Sequence, residues 1–228
     1  MRCKMYLGVK RLFDIVASLL GMVASSPIWL IAMIGILISD PGPIFYKARR
    51  IGKDNQEFVM LKFRSMRVPR TDREKSEASF KADENRIFPF GRLCRRLKID
   101  ELPQLLNILC GSMSVVGPRP VSVDQRSVMR VGKYNVAAEV RPGLTGPAAL
   151  YDYIYGDSIE DSADYERLVL PIRLELESYY PTRMSVSYDL KMIWYTIICI
   201  CFSVFQKTPD RIYRELVACA QCNQEAAV

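Results

Sequence analysis

Lys98-Ile-Asp-Glu-Leu-Pro-Gln-Leu-Leu-Asn107, running on through Ile108-Leu-Cys-Gly-Ser-Met-Ser-Val-Val-Gly-Pro-Arg-Pro120, is the stretch on which the reading of this chain turns. Asp100 and Glu101 are neighbouring carboxylates among cations: Arg95, Arg96 and Lys98 precede them and Arg119 follows. Pro103 suits the first turn of a helix, where a missing N–H costs little. Leu102, Leu105, Leu106 and Leu109 then recur on one helical face. Two acids at a helix start, where the dipole favours negative charge, suit phosphoryl chemistry on a carboxylate, with or without a metal. The plainer alternative is that Asp100 is only a helix cap.

The same run resembles the signature of the bacterial sugar transferases, the small monotopic phosphoglycosyl transferases. In that family Asp-Glu-Leu-Pro-Gln-Leu-x-Asn is followed by Gly-x-Met-Ser-x-Val-Gly-Pro-Arg-Pro. Further matches are Lys10-Arg11-x-x-Asp14, Ser26-Pro27, Arg50-x-Gly52, Lys62-Phe-Arg-Ser-Met66, Arg141-Pro-Gly-Leu-Thr-Gly146 and Asp189-Leu-Lys191, so the likeness covers most of the chain.

Upstream of the motif, Lys62 and Arg64 stand two apart at the end of an alternating stretch, Glu57 to Phe63, that predicts a strand. Sharing a face, they could grip a diphosphate, or could simply keep a solvated edge strand from aggregating. Residues 67–85 are charged and poor in apolar side chains, which predicts a loop or an exposed helix. Downstream, Gly117-Pro-Arg-Pro120 is a rigid turn that aims Arg119. After Gly146 the chain departs from the family. Many members continue Leu-Ala-Gln-Val-Asn-Gly-Arg-Asn; here Pro147-Ala-Ala-Leu-Tyr-Asp-Tyr-Ile-Tyr-Gly156 follows. Its tyrosines could stack on a base or a sugar, or be interface aromatics.

Towards the N-terminus, residues 12–38 are almost wholly apolar, with Asp14 the one charge. The length suffices to cross a bilayer, which takes about 20 residues. Yet Ser25-Ser26-Pro27 falls mid-segment, and basic residues flank both sides: Arg2, Lys4, Lys10 and Arg11 before, Lys47, Arg49, Arg50 and Lys53 after. Positive flanks stay on the cytoplasmic side, so a broken helix that enters and returns is expected, rather than a kinked crossing. Asp14 is expected near the interface or paired with Lys10 or Arg11. Near the C-terminus, helices are expected after Pro171, over Ser187–Phe205 along the membrane surface, and around Arg211–Ala220.

Composition narrows the chemistry. The 228 residues include no histidine, which removes histidine acid–base catalysis, Ser–His triads and histidine metal sites. The net charge of +7 is concentrated in residues 41–120, which hold 17 Lys and Arg against 9 Asp and Glu. No nucleic-acid-binding motif accompanies it, so a phosphorylated substrate or anionic lipid is the expected partner, and no nucleic acid. Seven scattered cysteines, including a lone Cys219-x-x-Cys222, read as reduced thiols.

The expected fold is α+β and mostly helical. It comprises a re-entrant membrane helix over 1–40 and a compact cytosol-facing catalytic domain over 41–228, with a little β structure and amphipathic interfacial helices. The resemblance implies transfer of a sugar 1-phosphate from a nucleotide-sugar, usually a UDP-sugar, to polyprenyl (undecaprenyl) phosphate with Mg2+. It implies a monotopic protein on the cytoplasmic face of the bacterial inner membrane, and leaves a homodimer open. Asp100 would be the nucleophile, and Asp100 and Glu101 the metal ligands. Lys62, Arg64, Arg95 and Arg119 would hold phosphate, and Lys10, Arg11, Ser26 and Pro27 would set the membrane helix. The other readings are a membrane-tethered metal-dependent phosphatase or nucleotide-sugar hydrolase, and a non-catalytic basic scaffold on anionic lipid.

Overall fold

A computed structural model describes residues 2–67, 86–159, 161–205 and 207–225. The charged stretch 67–85 falls, beyond Arg67, outside the described residues.

The N-terminal apolar segment is one continuous helix, α1 (Arg2–Ser39), with Pro27 inside it. At 1.5 Å per residue it is about 57 Å long. The expected break is bridged by side chains. Pro27 has no N–H for the Val23 carbonyl, and the Ser26 hydroxyl donates to that same carbonyl at 2.8 Å. Ser25 donates to the Gly21 carbonyl at 2.6 Å and accepts from Trp29 Nε1 at 3.1 Å. The helical path therefore continues through a residue pair that by itself argues against it.

β1 (Phe45–Ile51) and β2 (Glu57–Phe63) form an antiparallel hairpin; β2 matches the strand expected from alternation. Then come α2 (Pro89–Arg96), α3 (Gln104–Cys110), β3 (Ser114–Val116), β4 (Val121–Ser122), α4 (Arg126–Met129) and β5 (Gly143–Thr145). The C-terminal part is helical: α5 (Pro147–Ile154), α6 (Ser162–Leu168), α7 (Leu170–Arg183), α8 (Val186–Val204) and α9 (Asp210–Glu225). One sheet has the order β2-β1-β4, and β3 pairs in parallel with β5. The chain is thus α+β and mostly helical.

Among the described residues four apolar cores hold these parts, one of the smaller ones formed by Ile51, Val121, Met129 and Leu170. The largest gathers Tyr151, Leu176, Tyr180, Met192 and Leu216 from α5, α7, α8 and α9. A second packs Ala48 and Met60 of the hairpin on Leu105 and Ile108 of α3. A third sets Ala32 and Ile36 of α1 against Phe63 and Phe88. α3 is also fastened to the open edge of β2, where backbone groups lack a neighbouring strand. Asn107 Oδ1 accepts from the Leu61 N–H at 2.9 Å, and its Nδ2 donates to the Val59 carbonyl at 2.7 Å. One side-chain amide thus stands in for the missing strand.

α1 lies along this body and packs on α2, α3 and β3, so residues 1–40 and 41–228 are packed together. Near its start, Lys10 pairs with Asp189 at 2.6 Å, and Arg11 donates to the carbonyls of Ile108 and Leu109 at 2.6 and 2.8 Å. Both cations expected to set the membrane helix are turned inward and bind protein. Asp14 pairs with neither of them. It is buried and accepts from Ser114 Oγ at 3.0 Å and the Val115 N–H at 2.9 Å. Near its end, Gly35 lets the Phe90 ring approach so closely that a Cβ would sit 2.3 Å from it. The opposite side of α1 is apolar and uncovered, from Leu12, Val16 and Leu20 to Ile31 and Ile38. Only 11 % of its most apolar window is buried, with mean hydropathy 2.0. Leu190, Trp194 and Ile197 leave a second such face on α8. A shared apolar surface of this extent is what a membrane covers.

Candidate active site

The site is built where α2 stops. Lys98 adopts a left-handed conformation (φ 55°, ψ 21°), which turns the chain sharply into a 3-10 turn, Ile99–Glu101. Asp100 and Glu101 sit on that turn, ahead of α3, whose first residue follows Pro103. Asp100 makes no capping hydrogen bond to α3, so the cap reading fails on geometry. Arg119 arrives from a crossing of two glycine-bearing segments. Gly117 meets Gly143 and Gly146 so closely that a Cβ on Gly143 would lie 2.1 Å from the Gly117 nitrogen. Side chains are excluded there, and the Gly117–Pro120 turn is locked in place.

Asp100 is 4 % exposed, and its Oδ1 is buried without a hydrogen-bond partner. Beside it Glu101 accepts from Lys62 Nζ at 3.0 Å. The Lys98 ammonium lies 3.3 Å from Asp157 and 4.3 Å from the centre of the Tyr153 ring. The Arg119 Nε is 3.6 Å from Asp152, and Arg95 contacts Met66 Sδ at 3.6 Å.

The two acids titrate apart. Burial pushes the Asp100 carboxyl above the ordinary aspartate value, against the opposing fields of Lys62, Lys98 and Arg95. Burial also acts on Glu101, but Lys62, Lys98 and Arg119 outweigh it and bring Glu101 down to about 2. Neighbouring carboxylates with separated affinities for protons are what role-sharing acids require. The same burial and the Asp100 charge push the Cys94 thiol up to about 11, so it is inert.

Behind Arg119 lies a buried ionic network. Asp152 on α5 accepts from the Tyr165 hydroxyl at 2.6 Å and lies 3.3 Å from Arg173. Arg173 reaches Glu177 at 3.7 Å, and Arg130 reaches the other Glu177 oxygen at the same distance. Arg130 also donates to the Arg119 carbonyl at 3.4 Å. Arg119 is therefore held at its backbone by one partner and at its guanidinium by another.

The model of the family described as bacterial sugar transferase matches residues 5–203. The chain belongs to that family. It is 36 % identical over 211 residues to the exopolysaccharide production protein ExoY of Sinorhizobium fredii, covering 85 % of this chain and 86 % of the relative. It is 31 % identical to the UDP-glucose:undecaprenyl-phosphate glucose-1-phosphate transferase of Escherichia coli, over 83 % of this chain but only 39 % of the relative. An Aeromonas hydrophila UDP-N-acetylgalactosamine-undecaprenyl-phosphate N-acetylgalactosaminephosphotransferase is 34 % identical, over 84 % and 43 %. The chain thus spans about two fifths of these two longer relatives.

In this sugar transferase the structure joins Lys62 to Glu101, brings Asp100 into the field of Arg95 and Glu101 into that of Arg119, and it removes Arg64. Arg64 follows β2, is 3 % exposed, and binds the Asp40 carboxylate, the Asp40 carbonyl and the Pro43 carbonyl. Its guanidinium closes the C-terminus of α1 and lies over the Phe88 ring, so it offers no donor to a diphosphate. The face-sharing expectation failed because the strand ends at Phe63. Tyr151 and Tyr155 are also unavailable as platforms, since both pack on Tyr213 in the helical core. Sequence reading missed Asp152, Asp157, Arg173 and Glu177. They lie far along the chain in segments without a motif; burial of charge marks Asp152, Arg173 and Glu177, and nothing local marks the exposed Asp157.

A divalent cation fits the pair. Among the described residues no group of three potential ligands occurs. Magnesium, however, is held by one or two carboxylates completed by water and substrate phosphates. Asp100 and the second oxygen of Glu101 would supply those two carboxylates.

Proposed function

We propose that this sugar transferase moves a sugar 1-phosphate from a UDP-sugar to undecaprenyl phosphate, giving undecaprenyl-diphosphate sugar and UMP. The observation that carries the reading is the buried, unpartnered Asp100 oxygen in the fields of Lys62, Lys98 and Arg95, beside Glu101, on which Arg119 also acts. A carboxylate so placed, short of hydrogen bonds but surrounded by cations, is a nucleophile waiting for a phosphorus centre.

Asp100 Oδ1 attacks the phosphorus that bears the sugar. The bond from that phosphorus to the bridging oxygen breaks, and UMP departs with the electron pair. The sugar phosphate is left on Asp100 as an acyl phosphate. An oxygen of the lipid phosphate then attacks the same phosphorus, and the Asp100 carboxylate is released. Lys62, Arg95 and Arg119 hold the phosphoryl oxygens through both displacements. When bound, magnesium neutralises charge on the diphosphate. Glu101, with its pKa near 2, stays ionised at neutral pH and suits cation binding and orientation of Lys62 better than proton uptake.

The apolar faces of α1 and α8 belong to the same proposal. In this reading α1, helical through Ser26 and Pro27, embeds its apolar face in the membrane from the cytoplasmic side. The site then meets both a soluble nucleotide-sugar and a phosphate at headgroup level.

The test is UMP release from a panel of UDP-sugars, with and without undecaprenyl phosphate and magnesium. Continuous UMP release that requires lipid is expected with at least one sugar. Continuous release without lipid makes the protein a nucleotide-sugar hydrolase. No release from any nucleotide-sugar leaves the membrane scaffold.

A further inference from the structure

Lys98 is held differently from the other cations near the dyad. Lys62 is bonded to Glu101, and Arg119 lies beside Asp152, which is buried and shared with Arg173. The partner of Lys98 is Asp157, 3.3 Å away, whose side chain is 56 % exposed against 22 % for the lysine. An ion pair open to water on one side is weak, and a better anion replaces it at little cost. Both partners are nevertheless placed by the fold. The 3-10 turn Gly156–Ser158 is pressed against α5, where a Cβ on Gly156 would lie 2.8 Å from Asp152 Oδ1. Tyr153 donates its hydroxyl to the Arg96 carbonyl at 3.1 Å, which braces its ring 4.3 Å from the Lys98 ammonium.

The backbone points the same way. Lys98 is left-handed (φ 55°), a conformation that strains a residue with a Cβ and that glycine or asparagine adopts at less cost. The lysine keeps a positive charge at the turn that carries the dyad. That charge acts on Asp100 and Glu101 alike, and the charge of Asp157 is felt at Arg119. The pair therefore lies in the field shared by the dyad and Arg119, into which the donor brings its diphosphate. Asp152 cannot yield to that diphosphate, because Arg173 and Tyr165 hold it in the interior. Asp157 can turn out to water.

We propose that Lys98 is a further phosphate-binding residue and that Asp157 is its internal counter-anion, displaced by the diphosphate of the donor and returning when the nucleotide leaves. The assignment rests on the proposed function. It deepens that proposal by adding a cation to Lys62, Arg95 and Arg119 and by giving the site a means of releasing a highly charged product. The Tyr153 ring keeps the ammonium in place while its partners exchange.

Inorganic pyrophosphate is the probe, titrated calorimetrically into the full-length protein at fixed magnesium. Lys98→Asn, which suits the left-handed backbone, is expected to weaken pyrophosphate about tenfold, as loss of a hydrogen bond to a charged group does. Asp157→Asn is expected to tighten it by up to about fivefold, since the ammonium no longer has to be freed from an ion pair. In the double variant that gain shrinks below about twofold, because no ammonium is left to free. The Michaelis constant for UDP-sugar follows the pyrophosphate constant in each variant. Wild-type pyrophosphate binding in Lys98→Asn, unchanged or weaker binding in Asp157→Asn, or a gain from Asp157→Asn that persists in full without Lys98 overturns the assignment. The coupled changes in a protein that transfers no sugar phosphate support the pair and defeat the proposed reaction. Sugar-phosphate transfer with pyrophosphate binding unaltered in both variants does the reverse, so the two fail separately.

Discussion

Replacing Asp100 by asparagine should abolish transfer and, at the same time, make the protein more stable. The amide keeps the size of the side chain and cannot attack phosphorus, so turnover should fall at least about a thousandfold, as it does when a nucleophile is removed. Stability should move the other way because the fold disfavours the ionised carboxylate. Burial raises its pKa despite three nearby cations. The sign follows from linkage. Below the unfolded value of about 4 the carboxyl is neutral in both states and costs nothing. As the pH rises through the unfolded and then the folded value, the cost appears and stays. The variant should therefore melt about 2 °C or more above the wild type at pH 7, and the gap should shrink towards pH 4. Thermal melts at both pH values, beside UMP assays, check this. A variant that retains near-normal turnover removes Asp100 as nucleophile, and one that melts lower at pH 7 contradicts the electrostatic account.

The second large effect should come from a residue that touches no substrate. Arg173 is buried between Asp152 and Glu177, themselves 5 % and 0 % exposed. Arg173→Leu leaves Asp152 with Tyr165 and, at 3.6 Å, Arg119, and leaves Glu177 with Arg130 at 3.7 Å. Breaking a buried ion network from one side costs about 3–5 kcal/mol. In a chain of this length that should lower the melting temperature by about 10 °C. Replacing Glu177 by leucine as well should recover part of the loss, because it removes one of the stranded charges. Below the transition, residual turnover should also be reduced, since Arg119 loses the fixed position of its partner. Melting curves of the single and double variants decide this. An unchanged melting temperature in Arg173→Leu means that the network does not hold the helical core to the site.

How much of this could be read in the chain depends on the range of each interaction. β2 and α3 follow from local periodicity, and Asp100–Glu101 stand out because adjacent acids in a basic segment are unusual. Lys62, Arg95 and Arg119 joined them through motifs. Arg64 failed on a single residue of strand register, since it lies just past the last paired position and turns to the end of α1 instead. Lys10 and Arg11 stood out by composition only as a basic flank of the membrane helix. Their partners, Asp189 and the end of α3, lie about 180 and 100 residues away, beyond any local pattern. The Ser26–Pro27 step was legible as a weakness in α1, but not the hydroxyl that repairs it. The departure from the family after Gly146 was visible. Its consequence was not: Tyr151 and Tyr155 became core, while Asp152, Tyr153 and Asp157 came to hold Arg119 and Lys98.

These contacts tie the positions of Lys98 and Arg119 to residues 147–157 and to the packing of α5 on α7. The proposed chemistry rests on one oxygen.

The most direct test of the account is the intact mass of the protein after incubation with its UDP-sugar and magnesium in the absence of lipid. One sugar phosphate per chain, mapped to Asp100, formed with one equivalent of UMP, discharged by undecaprenyl phosphate and absent from Asp100→Asn, is the predicted result. UMP that forms only when lipid is present, with no adduct on Asp100 at any time, would mean that the lipid phosphate attacks the donor directly and that the carboxylate never carries the sugar phosphate.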